Sequence, residues 1–255
     1  MVGWLGVLGW QTAAAFTSFL TTKQIQALAI MWNPTYVPHA FHFTMINWAV
    51  LAVSLVFNVF GSKKLPLIEG VIVILHIAGF FAVLVPLWVM GDRSSSQETF
   101  TLFEDNMGWG SVPLSTMVGL TGVAGCFVGV EAGAHMSEEV RNASHVIPRS
   151  MMWTWLGNGI MGWIMAITFS YCVGDTASVL ETPLGAQQVQ VFLNTTGSKA
   201  GATGLTCITL IIGVFACVAV IATNSRQFFA FARDKGVPFS NTFSQVSQTS
   251  FDADV

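Results

Sequence analysis

Glu131 and His135 are the pair in this 255-residue chain whose types and spacing suit proton chemistry in an apolar setting. On a helix they stand one turn apart on one face, where a carboxylate and an imidazole can share a proton that titrates near neutral pH. They close the run Gly125-Cys126-Phe127-Val128-Gly129-Val130-Glu131-Ala132-Gly133-Ala134-His135, which lies in a segment otherwise apolar enough to cross a bilayer. A carboxylate at membrane depth is costly and by default marks a pathway for ions or polar substrates. Each glycine lowers helix stability by about 1 kcal/mol relative to alanine, and a cluster of them permits a break whose bare N–H and C=O groups become ligands. Two readings of the glycines stand side by side. Gly125, Gly129 and Gly133, four apart, form a small face for close helix packing, or the helix unwinds near Val128 to Glu131. The plain alternative for the ionisable pair is that Glu131 accepts hydrogen bonds from a neighbouring helix while His135 sits among headgroups.

The elements that must position these residues are membrane spans. Hydrophobic residues make up 53% of the chain and charged ones 9%, against about a quarter charged in a soluble domain. A bilayer core about 30 Å thick needs roughly 20 apolar helical residues. Six segments approach that length, near 2–31, 43–61, 66–90, 112–135, 149–173 and 202–231. The fold class expected is an all-α polytopic membrane protein, with residues 1–240 as a transmembrane domain and 241–255 as a polar tail. Gln187 to Phe192 reads as a short amphipathic helix at the interface, and Ser144 and Pro148 as start signals for the fifth span. The N-terminus lacks the basic region of a signal peptide and reads as an interior segment.

Charge fixes an orientation, because Lys and Arg are retained on the cytoplasmic side. Lys63, Lys64, Arg141, Arg149, Arg226, Arg233 and Lys235 fall in one set of alternate connections, Arg93 and Lys199 in the other, and Lys23 inside the first span. The first set is expected to be cytoplasmic. Of two N-x-[ST] sequons, Asn194 is then exposed to glycosylation and Asn142 is not. Net charge is −3 and the basic residues are scattered, which excludes nucleic acid as a partner. Cys126, Cys172, Cys207 and Cys217 lack CxxC spacing and partnering histidines, so neither a metal site nor a disulfide framework is expected, and they read as packing residues. No HExxH, GxSxG, Walker or GxGxxG motif points to an enzyme or to a cofactor.

Phe127-Val128-Gly129-Val130-Glu131, followed by His135-Met136-Ser137-Glu138-Glu139-Val140-Arg141-Asn142-Ala143-Ser144 and Pro148-Arg149, resembles the sixth helix and following loop of amino acid/polyamine/organocation permeases. The likeness is to the fungal amino acid/choline/GABA branch. Ala222-Thr223-Asn224-Ser225-Arg226-Gln227 with Ala230 to Pro238 resembles the end of that family's eighth helix, and further likeness at Gly3-Trp4-Leu5 with Leu8-Gly9-Trp10-Gln11, at Lys64 to Gly70 and at Gly197 to Thr203 places the blocks in family order. The resemblance implies helices three to eight of a twelve-helix, five-plus-five inverted-repeat (LeuT-like) transporter, without the first helix that faces the broken sixth. It implies a secondary permease for an amino acid, GABA or an amine such as choline, in the plasma or vacuolar membrane. Under it, Gly125, Cys126, Phe127, Val128, Gly129 and Val130 bind substrate and unwinding becomes the favoured reading. Glu131 and His135 couple protons, and Glu138 and Glu139 form a cytoplasmic gate with Arg141, Arg149, Arg226 and Arg233. The competing expectations are a fragment without transport activity and a channel or receptor.

Overall fold

The computed structural model describes residues 2–61, 64–125, 127–135, 137 and 140–245, and the regular structure among them is helical. The long helices are α1 (Val2–Trp32), α2 (Ala40–Phe60) and α3 (Leu65–Met90), then, after the short α4 (Ser96–Thr101), α5 (Val112–Gly125). After α6 (Ala132–His135) come α7 (Ala143–Cys172), α8 (Thr176–Leu180), α9 (Gln187–Thr196), α10 (Lys199–Arg233) and α11 (Ser240–Phe243).

Among the described residues, α2, α3 and α10 are long and apolar enough to cross a membrane. With 31 and 30 residues, α1 and α7 reach about 45 Å at 1.5 Å per residue, also longer than a bilayer core, but are more polar. In α1 that polarity faces protein. Ser18, Thr21 and Thr22 are fully buried or nearly so, and the hydroxyls of Thr17 and Thr21 donate to the carbonyls of Ala13 and Thr17, both at 2.8 Å. Polar side chains are tolerated in hydrocarbon when they find such internal partners.

The bundle is organised on α1 and α10, which run antiparallel along their whole lengths. Trp4 meets Phe231 edge-on at 5.8 Å, Thr21 lies 3.7 Å from the Cys217 sulfur, Thr209 donates to Gln24 at 2.8 Å, and the Trp32 indole donates to Thr203 at 2.8 Å. Gly213 sits under Thr21, where a Cβ would come within 3.0 Å of the hydroxyl. Against this pair, Asn58 of α2 clasps the carbonyls of Ser54 and Val218, each at 2.9 Å. Leu65 of α3 packs with Val218 and Ala222, while the far end of α3 meets α7 through a Trp88–Thr168 bond of 2.9 Å.

These contacts separate the two charge sets. Lys64, Arg226, Arg233 and Lys235 gather at the end where α1 and α3 begin and α10 finishes. Arg93 and Lys199 lie at the opposite end, where Gly91 nears Cys172 and Thr195 and the amide of Ser94 donates to the Tyr171 carbonyl at 2.9 Å.

The segment 112–135 is two helices, α5 and α6, with turns over residues 127–131, where the resemblance implies unwinding. Other expectations are corrected. The amphipathic helix extends over Gln187–Thr196 and is taken up by protein: Val189, Val191 and Phe192 are buried in a core with Met31, Leu87 and Leu205. Pro148 lies inside α7, which begins at Ala143 after Asn142 turns the chain with φ of 55°. As the sixth residue of α7 it lacks the N–H that would donate to the Ser144 carbonyl one turn back. In the tail, α11 is helical, with Phe243 edge-on to Phe228 at 5.3 Å. The tail residues 246–255 lie outside the described residues.

The polar connection after α3 is organised by two carboxylates. Ser95 caps α4, accepting from the Glu98 amide at 3.2 Å while Glu98 accepts from the Ser95 amide at 3.0 Å. Asp105 accepts from the amides of Trp109 and Gly110 at 2.9 and 2.8 Å. The bonds from the Ser95 and Trp109 amides hold the pKa of Glu98 and Asp105 below the ordinary values. A depressed folded pKa contributes stability that is full above the unfolded value and is lost as pH falls through the folded one. Hydrogen exchange is therefore expected to show protection at the amides of Ser95, Trp109 and Gly110 at neutral pH. Normalised for intrinsic rate, that protection should fall below the usual carboxylate range. In Asp105→Asn the protection at Trp109 and Gly110 should already be lower at neutral pH.

Candidate functional site

Helix α5 stops at Gly125 and regular structure resumes only at Ala132. Across the interruption the backbone makes tight turns in which donor and acceptor are three residues apart. Phe127 donates to Ala124 at 3.1 Å, Val128 to Gly125 at 3.3 Å, Ala132 to Gly129 at 3.0 Å and Ala134 to Glu131 at 2.8 Å. The N–H groups of Gly129, Val130 and Glu131 donate no hydrogen bond among the described residues. Gly129 has φ of +97°, a conformation that glycine enters freely and other residues do not.

This geometry separates the two readings of the glycines. A small-residue packing face needs a continuous helix through Gly125, Gly129 and Gly133, and the chain is not helical at residues 127–131. A Cβ on Gly125 would meet nothing within 4 Å, whereas close packing would leave it no room. The helix after the break is a single turn, so the bare N–H groups themselves, rather than a macrodipole summed over many peptides, supply the positive potential there.

Two elements back the interruption. From α1, Trp10 comes within 3.8 Å of where a Gly129 Cβ would be and meets the His135 ring edge-on at 5.8 Å. From α7, Trp155 lies 6.4 Å from the Phe127 ring, and Ile147 is 3.9 Å from where a Gly133 Cβ would lie. Gly129 and Val130 are half-buried on that side, while Phe127, Val128 and Glu131 are exposed. Glu131 and His135 fall on adjoining turns, but among the described residues no hydrogen bond or ion pair joins them, and His135 is engaged with Trp10.

Of the expected gate, Arg141 and Arg149 are exposed. Arg226 donates to the Ala222 carbonyl at 3.4 Å and lies where its charge acts on Glu69, and Arg233 closes the last turn of α10. Cys126, Glu138 and Glu139 lie outside the described residues. Cys172 and Cys217 are buried free thiols in packing positions, the former 3.3 Å from the Leu87 carbonyl. Asn194 is exposed at the end of the bundle that carries Lys199 and accepts from Gln190 at 2.7 Å. Among the described residues no group of His, Cys, Asp and Glu could hold a metal ion. The aromatic residues Trp10 and Trp155 were not expected at the site. Trp10 stands in one of the family-like blocks, but nothing local to it marks a contact with His135, 125 positions away.

A long-helix bundle with one interrupted membrane helix is the architecture of polytopic membrane carriers, whose ligand sites lie where a helix breaks. The amino acid permease family matches residues 1–251, and the chain belongs to it. It is similar to an uncharacterised amino-acid permease of Schizosaccharomyces pombe, 29% identical over 96% of this chain and 46% of the relative. It is also similar to the choline transporter of Saccharomyces cerevisiae, 26% identical over 97% of this chain and 44% of the relative. Amino-acid permease 2 of Neurospora crassa is 26% identical over 98% and 47%. The chain spans about half the length of the curated relatives it matches. No solved structure matches it.

Gly129→Ala tests the geometry of the break. The added methyl finds only ordinary contact with Trp10, so its cost is torsional, about 1–2 kcal/mol for a forced positive φ. Thermal unfolding in detergent should fall accordingly, whereas Gly125→Ala, at an open helical position, should leave it level or raise it.

Proposed function

We propose that the chain forms part of the translocation unit of a secondary permease that moves an amino acid, GABA or an organic amine such as choline by alternating access. The observation that carries this reading is the interruption at residues 127–131 in a member of the amino acid permease family. The free N–H groups of Gly129, Val130 and Glu131 are suited to accept a substrate carboxylate, and carbonyls released by the break are suited to a substrate ammonium. The names of relatives, amino-acid permease and choline transporter, agree with a small zwitterion or cation as cargo.

In this reading residues 1–240 are the transmembrane domain, and Gly125 to Val130 are the substrate segment. Glu131 and His135 exchange protons with one another through water rather than through a direct bond. Arg141, Arg149, Arg226 and Arg233, with Glu138 and Glu139, bias the cytoplasmic side shut, each exposed pair contributing only about 0–1 kcal/mol. The end bearing Lys64, Arg226, Arg233 and Lys235 is the cytoplasmic one.

In proteoliposomes of a permease in which this chain is joined to the remaining length its relatives carry, an inward proton gradient should drive accumulation of radiolabelled GABA, choline or a neutral amino acid. Glu131→Gln should flatten the pH dependence of that uptake. Absence of uptake for all three substrates overturns the transport reading, and unchanged pH dependence in the variant removes Glu131 from proton coupling.

Expression in a glycosylating host tests the topology separately. A glycosidase-sensitive mass increment should disappear in Asn194→Gln and persist in Asn142→Gln, and the reverse pattern would invert the bundle.

A further inference from the structure

Away from the broken helix, α3, α7, α9 and α10 line an open-sided pocket of about 440 Å³, within the size range of small-molecule pockets. Its walls are mainly apolar, with Phe80 on α3, Met161 and Met165 on α7 and Phe192 on α9. Methionine walls adapt to irregular shapes. At the α9 end the polar lining is already paired, since Gln188 donates to Thr209 at 3.3 Å and Thr209 to Gln24 at 2.8 Å.

Two other lining residues, both exposed along the open side of the pocket, are not paired. His76 lies near the midpoint of α3 and Asn158 at the midpoint of α7, and neither makes a hydrogen bond among the described residues. At mid-bilayer no lipid group can supply the missing bonds. The cavity has no Asp, Glu, Lys or Arg in its lining, so a zwitterion would leave both its charges without partners there, at prohibitive cost. An uncharged molecule meets the opposite conditions: apolar walls for its body and two waiting hydrogen-bonding side chains for one polar group.

We propose that this cavity binds an uncharged amphiphile, a compact apolar body carrying one hydroxyl or amide, with the polar group held between His76 and Asn158. The site is separate from residues 127–131, and its occupation is read by binding, independently of transport.

The test uses the chain in nanodiscs with two diazirine probes, a sterol alcohol supplied in the bilayer and an uncharged aromatic amide supplied in water. Labelled peptides are read by mass spectrometry, and which probe labels tells whether the ligand enters from lipid or from solution. Label is expected on residues 76–83 of α3 and 158–165 of α7. A Cβ on Gly162, which lines the cavity, meets nothing within 4 Å, so Gly162→Trp should fill the space and cut that label about tenfold. The double change His76→Leu with Asn158→Leu keeps the walls apolar and should also cut label by about tenfold, the equivalent of one lost hydrogen bond. Helix content by circular dichroism confirms that each variant is folded. Labelling unchanged in both folded variants, labelling spread evenly over lipid-facing helices, or preferential labelling by a diazirine amino acid would each overturn the proposal.

Discussion

Hydrocarbon offers a peptide group no hydrogen-bonding partner, so a chain that enters it must pair every backbone N–H and C=O with itself. The long helices obey this along their interiors except where Pro86 in α3 and Pro148 in α7 bring no N–H, and residues 127–131 suspend it. The suspension is tolerable because one side of the turn is backed by Trp10 and by the α7 residues Trp155 and Ile147. The opposite side is left open, with Phe127, Val128 and Glu131 exposed. A break with aromatic side chains on both faces would have no open side for a ligand, and one with none would expose the same groups to lipid. The surroundings of Gly129 matter as much as its conformation.

Rigid backing in turn depends on the antiparallel contact of α1 with α10. Its closeness comes from small and hydroxyl-bearing residues at the crossing, Gly213 beneath Thr21 and Thr21 beside Cys217. Such residues let backbones approach where lipid gives no hydrophobic drive for helix association. The hydroxyls then bond back to their own helices, as Thr206 does to Ala202 at 2.7 Å, so they add contact without leaving polar atoms bare. Helix α9 closes one end of this pair. Phe192 and Val189 fill the gap between α1, α3 and α10, making the connection after α7 part of the core.

What could be read from the sequence was whatever is periodic or local. Apolar runs gave the long helices within a few residues, and the glycine cluster located the break, because both signals reside in neighbouring positions. Partners distant in the chain left no such trace. Nothing near Gln187 tells whether the apolar face of α9 meets headgroups or the side chains of Met31, Leu87 and Leu205. Glu131 and His135 sit at a spacing that suits a shared proton on a continuous helix, but their relation changes once the break falls before Ala132 and Trp10 engages the imidazole. Nothing next to Asn158 in the sequence marks it as a cavity residue. Only the packing of α3 beside α7 brings it to the same cavity as His76.

The interruption also divides the bundle mechanically. On its far side, α6 is held to α1 through His135 on Trp10, to the start of α7 through Gly133 beside Ile147, and to α10. On its near side, α5 has no buried residue at all. Any displacement of α5 against the α1–α10 pair must be absorbed where the chain is neither helical nor packed on both sides, which is the stretch around Gly129. Backbone torsions there can change without breaking a run of helical hydrogen bonds, since those bonds are already absent. The feature that frees polar groups for a ligand is therefore also the place of least resistance to bending. Capture of a ligand by those N–H groups would fix torsions that are otherwise free, coupling occupancy of the site to the position of α5.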